Sequence, residues 1–288
     1  MCRIFALFFT LCSSVFAMDV ATINTSSGVD VDRAVHVTET GQKRNHLVDQ
    51  IESRSSSFDN FNAEFDVKLN TLEAGKPKEF QLSGQAQGFK EGFIKVAISY
   101  GPMEIMTFGL SPKDVVFKLS RENQAYVGTL QEAQEGKRIC KILSSDLCGL
   151  QMFFPEAWDP KANCRFTRCE NGKNVIYVCS KDEKSIRPIK KVCLKFENGE
   201  SVIEKIVRYD DYGNVSGVIS YSGYKPMTID GKNYLLPSIL SLQVDENDHF
   251  VFTLKENRVR FNKPGAKPSD TRVFPAEGQD VLPFSHMR

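Results

Sequence analysis

The sequence predicts a mainly β protein of the α+β class, one large antiparallel sheet accompanied by two helices, and three observations carry that expectation. Apolar and polar residues alternate with period two in one segment after another between Phe61 and Phe261, as they do in strands with one dry and one wet face. Turn signals at Asn171-Gly172, Asn198-Gly199 and Asp230-Gly231 join several of these segments, which is the chemistry of antiparallel hairpins. Helical periodicity is confined to two places, and the absence of any fixed repeat of about 20 to 50 residues disfavours a propeller or solenoid.

The first periodic element is an amphipathic helix over residues 44–56, where Leu47 and Ile51, with Val48 beside them and Phe58 beyond, make one apolar stripe. The period then changes to two: every odd residue from Phe61 to Leu69 is apolar and every even one polar. Further strands are expected at 80–87, 94–100, 104–110, 114–119 and 125–130, separated by Ser-Pro and Arg-Glu-Asn turn formers. A second helix is expected over 137–150, with Ile139, Ile142, Leu143 and Leu147 at helical spacing and an end near Gly149. The apolar run 150–158 that follows holds Phe153 and the only tryptophan, Trp158, and reads as a lid or as core. Strands resume at 164–169, 175–180, 192–197, 201–209, 215–221, 235–244 and 250–261. Two short helices cover little of such a sheet, so its dry face must curl, pair with itself or enclose something apolar.

The two ends differ from the middle. Residues 1–17 carry Arg3, an apolar run from Ile4 to Leu11, and Val15-Phe16-Ala17 with small residues at the minus-three and minus-one positions, the pattern of a secretory signal cleaved after Ala17. The run is far below the roughly 20 residues that span a bilayer. Leu11 precedes Cys12 where lipidation needs a small residue, so Cys12 is not expected to carry an anchor. Residues 18–43 form a Ser/Thr/Asp-rich extension, 44–261 a single domain, and 262–288 a tail with Pro264, Pro268, Pro275 and Pro283. Charge is balanced, 37 Lys+Arg against 36 Asp+Glu, which gives no field for steering polyanions and excludes nucleic acid as a partner.

Once Cys2 and Cys12 leave with the signal, six of the eight cysteines remain: Cys140, Cys148, Cys164, Cys169, Cys179 and Cys193. An even number in an exported chain favours disulfides, with pairing that sequence alone does not sort, and no Cys-x-x-Cys spacing points to a redox or zinc site. The four histidines, His36, His46, His249 and His286, are scattered and form no metal pair, and there is no nucleophile elbow, phosphate loop or dinucleotide fingerprint. Asp210-Asp211 with Asn214, and Asp245 to Asp248, are dense in acids but fall where turns are expected. No catalytic constellation, metal or cofactor is therefore expected, and the chain is not read as an enzyme.

What remains is the dry face itself. Phe65, Val67, Leu82, Val96, Ile98, Met106, Phe108, Phe117 and Leu119 fall at the apolar positions of successive strands and make a wide aromatic and flexible surface. One reading is an ordinary core. The functional one is an apolar pocket for acyl chains, with Leu47, Ile51, Ile142, Phe153 and Trp158 as its lid, where each methylene taken from water contributes about 0.8 kcal/mol.

The order of elements adds a resemblance. An amphipathic helix feeds Phe61-Asn-Ala-Glu-Phe-Asp-Val, then Phe93-Ile-Lys-Val-Ala-Ile-Ser-Tyr-Gly-Pro-Met-Glu-Ile; after the mid-chain helix ending Leu147-Cys-Gly-Leu come Val207-Arg-Tyr-Asp-Asp-Tyr-Gly-Asn-Val and Tyr234-Leu-Leu-Pro-Ser-Ile. Over about residues 44–261 this pattern resembles the LolA/LolB-like lipoprotein carriers of Gram-negative envelopes. The resemblance implies an incomplete antiparallel barrel closed by helices, whose hollow side holds the lipid chains of an acylated lipoprotein. It implies a periplasmic monomer that takes cargo from an inner-membrane ATP-driven release complex and passes it to an outer-membrane acceptor. The rival expectation is an envelope binding or scaffold module that senses a lipid or protein on the same fold.

Overall fold

A computed structural model describes residues 57–73, 76–120, 123–129, 132–133, 164–181, 186–209, 212–243 and 249–286. Both expected helices and the apolar run 150–158, with Leu47, Ile51, Ile142, Phe153 and Trp158, lie outside the described residues; Glu132 and Ala133 form a short turn before the second of them.

Six strands form the first half: β1 (Asn60–Glu73), β2 (Lys76–Phe89), β3 (Phe93–Tyr100), β4 (Met103–Leu110), β5 (Val115–Leu119) and β6 (Gln124–Gly128). Then follow β7 (Cys164–Glu170), β8 (Lys173–Lys181), β9 (Ile186–Glu197), β10 (Glu200–Tyr209) and β11 (Val215–Ser222). The last are β12 (Lys225–Ile229), β13 (Lys232–Leu236), β14 (Ile239–Gln243), β15 (His249–Phe261) and β16 (Asp280–Pro283). Fourteen of them make one sheet in the order β16-β6-β5-β4-β3-β2-β1-β15-β14-β11-β10-β9-β8-β7, while β12 and β13 form a separate hairpin. Every neighbour in the sheet is antiparallel except β16 on β6. The sheet is mainly β, large and not closed into a barrel, as the sequence predicts.

Turn chemistry sets the hairpins. Asn171-Gly172, Asn198-Gly199 and Asp230-Gly231 each take positive φ at both residues, the left-handed pair that matches the twist of the flanking strands. Alternation then sets the faces. Phe61, Ala63, Phe65, Val67 and Leu69 of β1 are each at most 1% exposed, while Asn62, Asp66 and Lys68 face water. We call the apolar side the inner face. On it the Phe65 and Phe61 rings lie over Gly84 and Gly88 of β2, their cross-strand partners, so closely that a Cβ at either glycine would sit 2.3 Å from the ring. One apolar cluster runs across the inner face from β6 to β8.

The chain beyond Phe261 does not leave the sheet. Asn262 ties the ends together, accepting from the Asp59 backbone N–H at 2.8 Å and donating to the Ser57 carbonyl at 2.9 Å. A 3-10 turn at Pro268–Thr271 packs on β2 and β3 with Thr271 buried, and Val273 then crosses the outer side of Gly109 in β4. Gln279 donates to the Gln124 carbonyl at 3.0 Å, β16 joins β6, and Phe284 stacks on Tyr126 at a centroid distance of 6.5 Å. This strap links the middle of the sheet to its β6 side across the outer face. A Cβ at Gly109 would lie 2.5 Å from Val273, so Gly109→Leu should displace the strap and cost about 1 to 3 kcal/mol. Urea denaturation measures the loss, and limited proteolysis should cut between residues 263 and 280 faster than in the unaltered protein.

Candidate functional site

The inner face brings together all nine residues that alternation selects. Phe65 and Val67 lie on β1, Leu82 on β2, Val96 and Ile98 on β3, Met106 and Phe108 on β4, and Phe117 and Leu119 on β5. Register makes them a wall: Val67 faces Leu82, Val96 faces Phe108, Ile98 faces Met106, and Phe108 faces Phe117. Eight are buried, and Leu119 is half-buried at the top of β5. On the other side of β1 the wall continues onto β15, where the Phe252 ring meets Phe65 edge-on at 5.6 Å and stacks with Phe250 at 6.3 Å. From there it crosses Leu240 and Leu242, Ile219 and Tyr221, Ile206, Val192, and Ile176 with Val178. Sequence reasoning named only the β1–β5 part, although the same alternation was available in β8 to β11.

Part of the wall is covered by the β12–β13 hairpin, an excursion between β11 and β14 that contributes Tyr224, Ile229, Leu235 and Leu236 to the cluster. Its root is held by the buried Tyr224 hydroxyl, which donates to the Ile203 carbonyl. Further out, Tyr234 packs on Phe58 at 5.8 Å and donates to Ser57 Oγ at 2.8 Å, and Phe58 in turn meets Phe261 at 5.0 Å. Between hairpin and sheet lies a cleft of about 470 Å³, lined by Met227, Leu236, Pro237, Leu254 and Val259, with Lys225, Glu256 and Arg260 among its polar groups. The cleft exists because β15 is irregular there: Ala63 faces Val259 but Phe65 faces Leu254, so residues 255–258 stand against Glu64 alone, three more than a regular ladder takes, and bow away from it. Lys225 forms an ion pair with Glu256 of that bow.

Charge is arranged differently on the two faces. On the outer face, Val175, Tyr177 and Cys179 form a small second cluster with Ile186 and Cys193 packed against it. The Tyr177 hydroxyl donates to Glu170 Oε1 at 2.7 Å, and Lys191 Nζ meets Glu170 Oε2 at 2.5 Å. Burial, helped by that hydrogen bond, pushes the Tyr177 phenol from 10.0 up to about 12. Burial alone would pull Lys191 down, but its hydrogen bond to Glu170 and the charges of Tyr177 and Glu170 outweigh it and hold the ammonium above its ordinary value. Burial also raises the Cys193 thiol, which keeps it protonated and a poor nucleophile near neutrality. On the inner face, Lys190 and Arg208 face each other across β9 and β10.

The cysteines do not all share a face. Cys169 faces Asn174 and Cys193 faces Val175, neighbours in β8, so the two lie on opposite sides of the sheet and are free thiols here. The β7–β8 ladder sets the backbone of Cys164 opposite Cys179; Cys140 and Cys148 lie outside the described residues, as do Asp210, Asp211 and Asp245 to Asp248. Among the described residues no cluster of three or more His, Cys, Asp or Glu side chains is placed to hold a metal, and no helix is long and apolar enough to cross a membrane.

No protein-family model and no curated protein matches the sequence. Solved structures do match the fold. A Vibrio parahaemolyticus domain described as an outer membrane lipoprotein-sorting protein aligns over 79% of this chain and 95% of its own, with 12% identity and a TM-score of 0.50. A DUF1329 family protein from Desulfovibrio piger aligns over 79% and 97%, with 10% identity and a TM-score of 0.50. A LolA superfamily protein from Nitrosomonas europaea aligns over 79% and 98%, at 12% identity and a TM-score of 0.49. At such identities the likeness is one of fold alone: a large open antiparallel sheet like that of the Vibrio domain, in keeping with the incomplete barrel that the sequence resemblance implies, while the implied helical lid lies outside the described residues.

The Tyr177 shift has a definite consequence at alkaline pH. A phenol whose folded-state value is raised stabilises the fold fully below its unfolded value near 10 and loses that contribution as pH rises through about 12. Stability measured by urea titration should therefore fall between these pH values, and Tyr177→Phe should flatten that part of the profile.

Proposed function

We propose that this is an exported lipid- or lipoprotein-binding protein whose inner face shields acyl chains from water, and that it carries lipoproteins from the inner to the outer membrane. The observation that carries the reading is the width of the apolar wall, continuous from β6 to β8 on a sheet that does not close on itself. A chain of methylenes laid along that wall would be stabilised by about 0.8 kcal/mol for each one removed from water, with no polar partner required. The fold shared with a domain described as lipoprotein-sorting supports the same reading, and favours a binding protein over an enzyme.

On this reading residues 1–17 are removed after Ala17, and residues 44–261 act as a monomeric binding domain in the periplasm. Cargo arrives from an ATP-driven release complex of the inner membrane and leaves to an acceptor in the outer membrane. Phe65, Val67, Leu82, Val96, Ile98, Met106, Phe108, Phe117 and Leu119 form the contact surface, with Leu47, Ile51, Ile142, Phe153 and Trp158 as the cover that moves. Because most of these wall residues are shielded in the free chain, a guest enters by displacing protein from the wall, and exchange is driven by the difference between two apolar contacts.

Solvent extraction of the purified mature protein followed by mass spectrometry should recover bound lipid, and a fluorescent fatty-acid probe should bind and be displaced by lipid. Leu119→Glu places a charge at the half-buried margin of the wall and should weaken probe binding about tenfold while leaving thermal unfolding nearly unchanged. Phe196→Glu, at a residue 75% exposed, should leave binding as it is. Recovery of no lipid together with no probe uptake overturns the proposal.

A further inference from the structure

We infer that the cleft between the β12–β13 hairpin and β15 binds an extended peptide by strand addition to the free edge of β12, and that this peptide is the stretch of polypeptide adjoining the acyl chains of a lipidated protein. This rests on the reading that the inner face holds acyl chains, and it adds how the protein part of the guest is held.

Hydrogen-bond parity identifies the groups available. Asp230 and Gly231 both take positive φ, as a two-residue hairpin turn requires, so Ile229 and Lys232 on either side of it form the first bonded pair. Bonded and non-bonded pairs alternate along an antiparallel ladder, which makes Met227–Tyr234 and Lys225–Leu236 bonded and turns the backbone groups of Thr228 and Pro226 to the other edge. Pro226 has no N–H and gives up nothing there, the usual place for a proline in a strand. Among the described residues no third strand joins the hairpin, so the Thr228 N–H and carbonyl and the Pro226 carbonyl have no ladder partner.

Across the cleft runs a second stretch of backbone outside the ladders. β14 pairs with β15 only as far as Thr253, followed by a bond from the Leu254 N–H to the Ser238 carbonyl at 2.8 Å, and on the β1 side residues 255–258 have Glu64 alone. The cleft touches four consecutive residues of β12, Lys225 to Thr228, and on β15 both Glu256 and Asn257 and both Val259 and Arg260. Consecutive side chains of a strand point to opposite faces, so the cleft runs between two strand edges and not across one face. Edges left open in this way are templates for another strand.

The side chains suit such an occupant. Leu236 and Val259 belong to the apolar cluster of the inner face, and Met227 and Leu254 pack against it, so the floor of the cleft continues the surface proposed for acyl chains. A strand added to β12 sets every second side chain against that floor and the others away from it; main-chain bonds supply affinity, and the floor selects apolar residues at alternate positions. The Lys225–Glu256 ion pair spans the cleft, but it is exposed and contributes little, so an entering strand displaces it easily. The volume of about 470 Å³ lies within the range of ordinary ligand sites.

The test uses the mature protein and displacement of a fluorescent fatty-acid probe. Palmitate is compared with a palmitoylated peptide of about six residues alternating valine and serine, and with the same lipopeptide N-methylated at one or the other set of alternate residues, which removes the main-chain donors of one edge at a time. The lipopeptide should bind about tenfold more tightly than palmitate, and N-methylation of one set but not the other should bring it to within about threefold of palmitate. Hydrogen exchange should show the Thr228 amide protected by the lipopeptide and not by palmitate. Thr228→Pro removes that donor where the hairpin ladder does not use it, and should abolish most of the lipopeptide's advantage while leaving palmitate affinity unchanged. Should this variant not fold, the N-methylated pair and the exchange measurement in the unaltered protein still decide. An advantage indifferent to N-methylation of either set overturns the inference, as does protection at the β7 or β16 edge in place of Thr228. Palmitate binding with no gain from the peptide leaves the acyl-binding reading standing without this site, whereas no binding of any acylated probe removes both.

Discussion

An open sheet with one apolar face has nowhere to put that face, and most of this structure follows from that constraint. A closed barrel turns its dry side inward, and a sandwich pairs two sheets. Here the strand order ends at β16 on one side and β7 on the other, without closure, while the apolar cluster spans nearly the whole width. Covering must come from elements that are not part of the ladder. The β12–β13 hairpin supplies some of it, Phe58 and Phe284 fill in near the ends of β1 and β6, and the turn at Ala133 reaches the same cluster. A cover made of separate pieces is weaker per unit area than a paired sheet, which is the property a protein needs if a guest is to take its place.

The outer face is treated in the opposite way. Its strands carry Lys68 paired with Glu79, Lys255 with Asp66 and Lys173 with Glu204, all solvent-accessible and contributing little to stability. Such pairs keep the outer face polar, and β4 is the exception, buried on both sides from Ile105 to Gly109 where the C-terminal strap passes. On the apolar side of the same sheet Lys190 and Arg208 face each other, with Val178 and Gly217 as their outer neighbours. The consecutive lysines 190 and 191 thus serve two different environments one pleat apart, the first on the wall and the second in the Glu170–Tyr177 cluster.

Most strands were legible because alternation and turn chemistry agreed. Phe61 to Leu69 could only be a half-buried strand, and the Asn-Gly and Asp-Gly pairs marked turns that adopt the expected positive φ. Where the two signals disagreed, the reading failed. Residues 235–244 read as one strand, but Pro237 removes a ladder donor and splits it into β13 and β14, which belong to different sheets. β12 was missed because Lys225-Pro-Met-Thr-Ile is short and does not alternate cleanly. β16 was missed in a Pro-rich tail because its partner, β6, is more than 150 residues away and pairs with it in parallel, which nothing local encodes. β9 begins at Ile186, earlier than residue 192, since Pro188 and two lysines obscure its period. For the site, the parity that selects Phe65 and Val96 also selects Ile176, Val192 and Ile219, and the interposed lysines of β9 concealed how far the apolar face extends.

The same geometry says where the molecule yields. The strap crosses the outer face from Asn262 to β16 and braces strands β1 to β6 against changes of curvature, with Thr271 and Val273 packed on the sheet and Phe284 turned under its margin. Flexing that half would break buried contacts on both faces at once. The hairpin is anchored unevenly. Its root holds a buried hydrogen bond from Tyr224 to the Ile203 carbonyl and the close approach of Ser238 to Gly223. Lys225, beside that root, pairs with Glu256, and Asp230 at the tip accepts from Asn262, both exposed links that exchange easily for water, while Ile229 and Tyr234 pack against the apolar cluster and Phe58. The cleft beside Leu254 and Val259 runs along the root half of the hairpin, where the bow of residues 255–258 already separates it from the ladder. The irregularity in β15 and the exposed Lys225–Glu256 link act at one place, and that place borders the apolar wall.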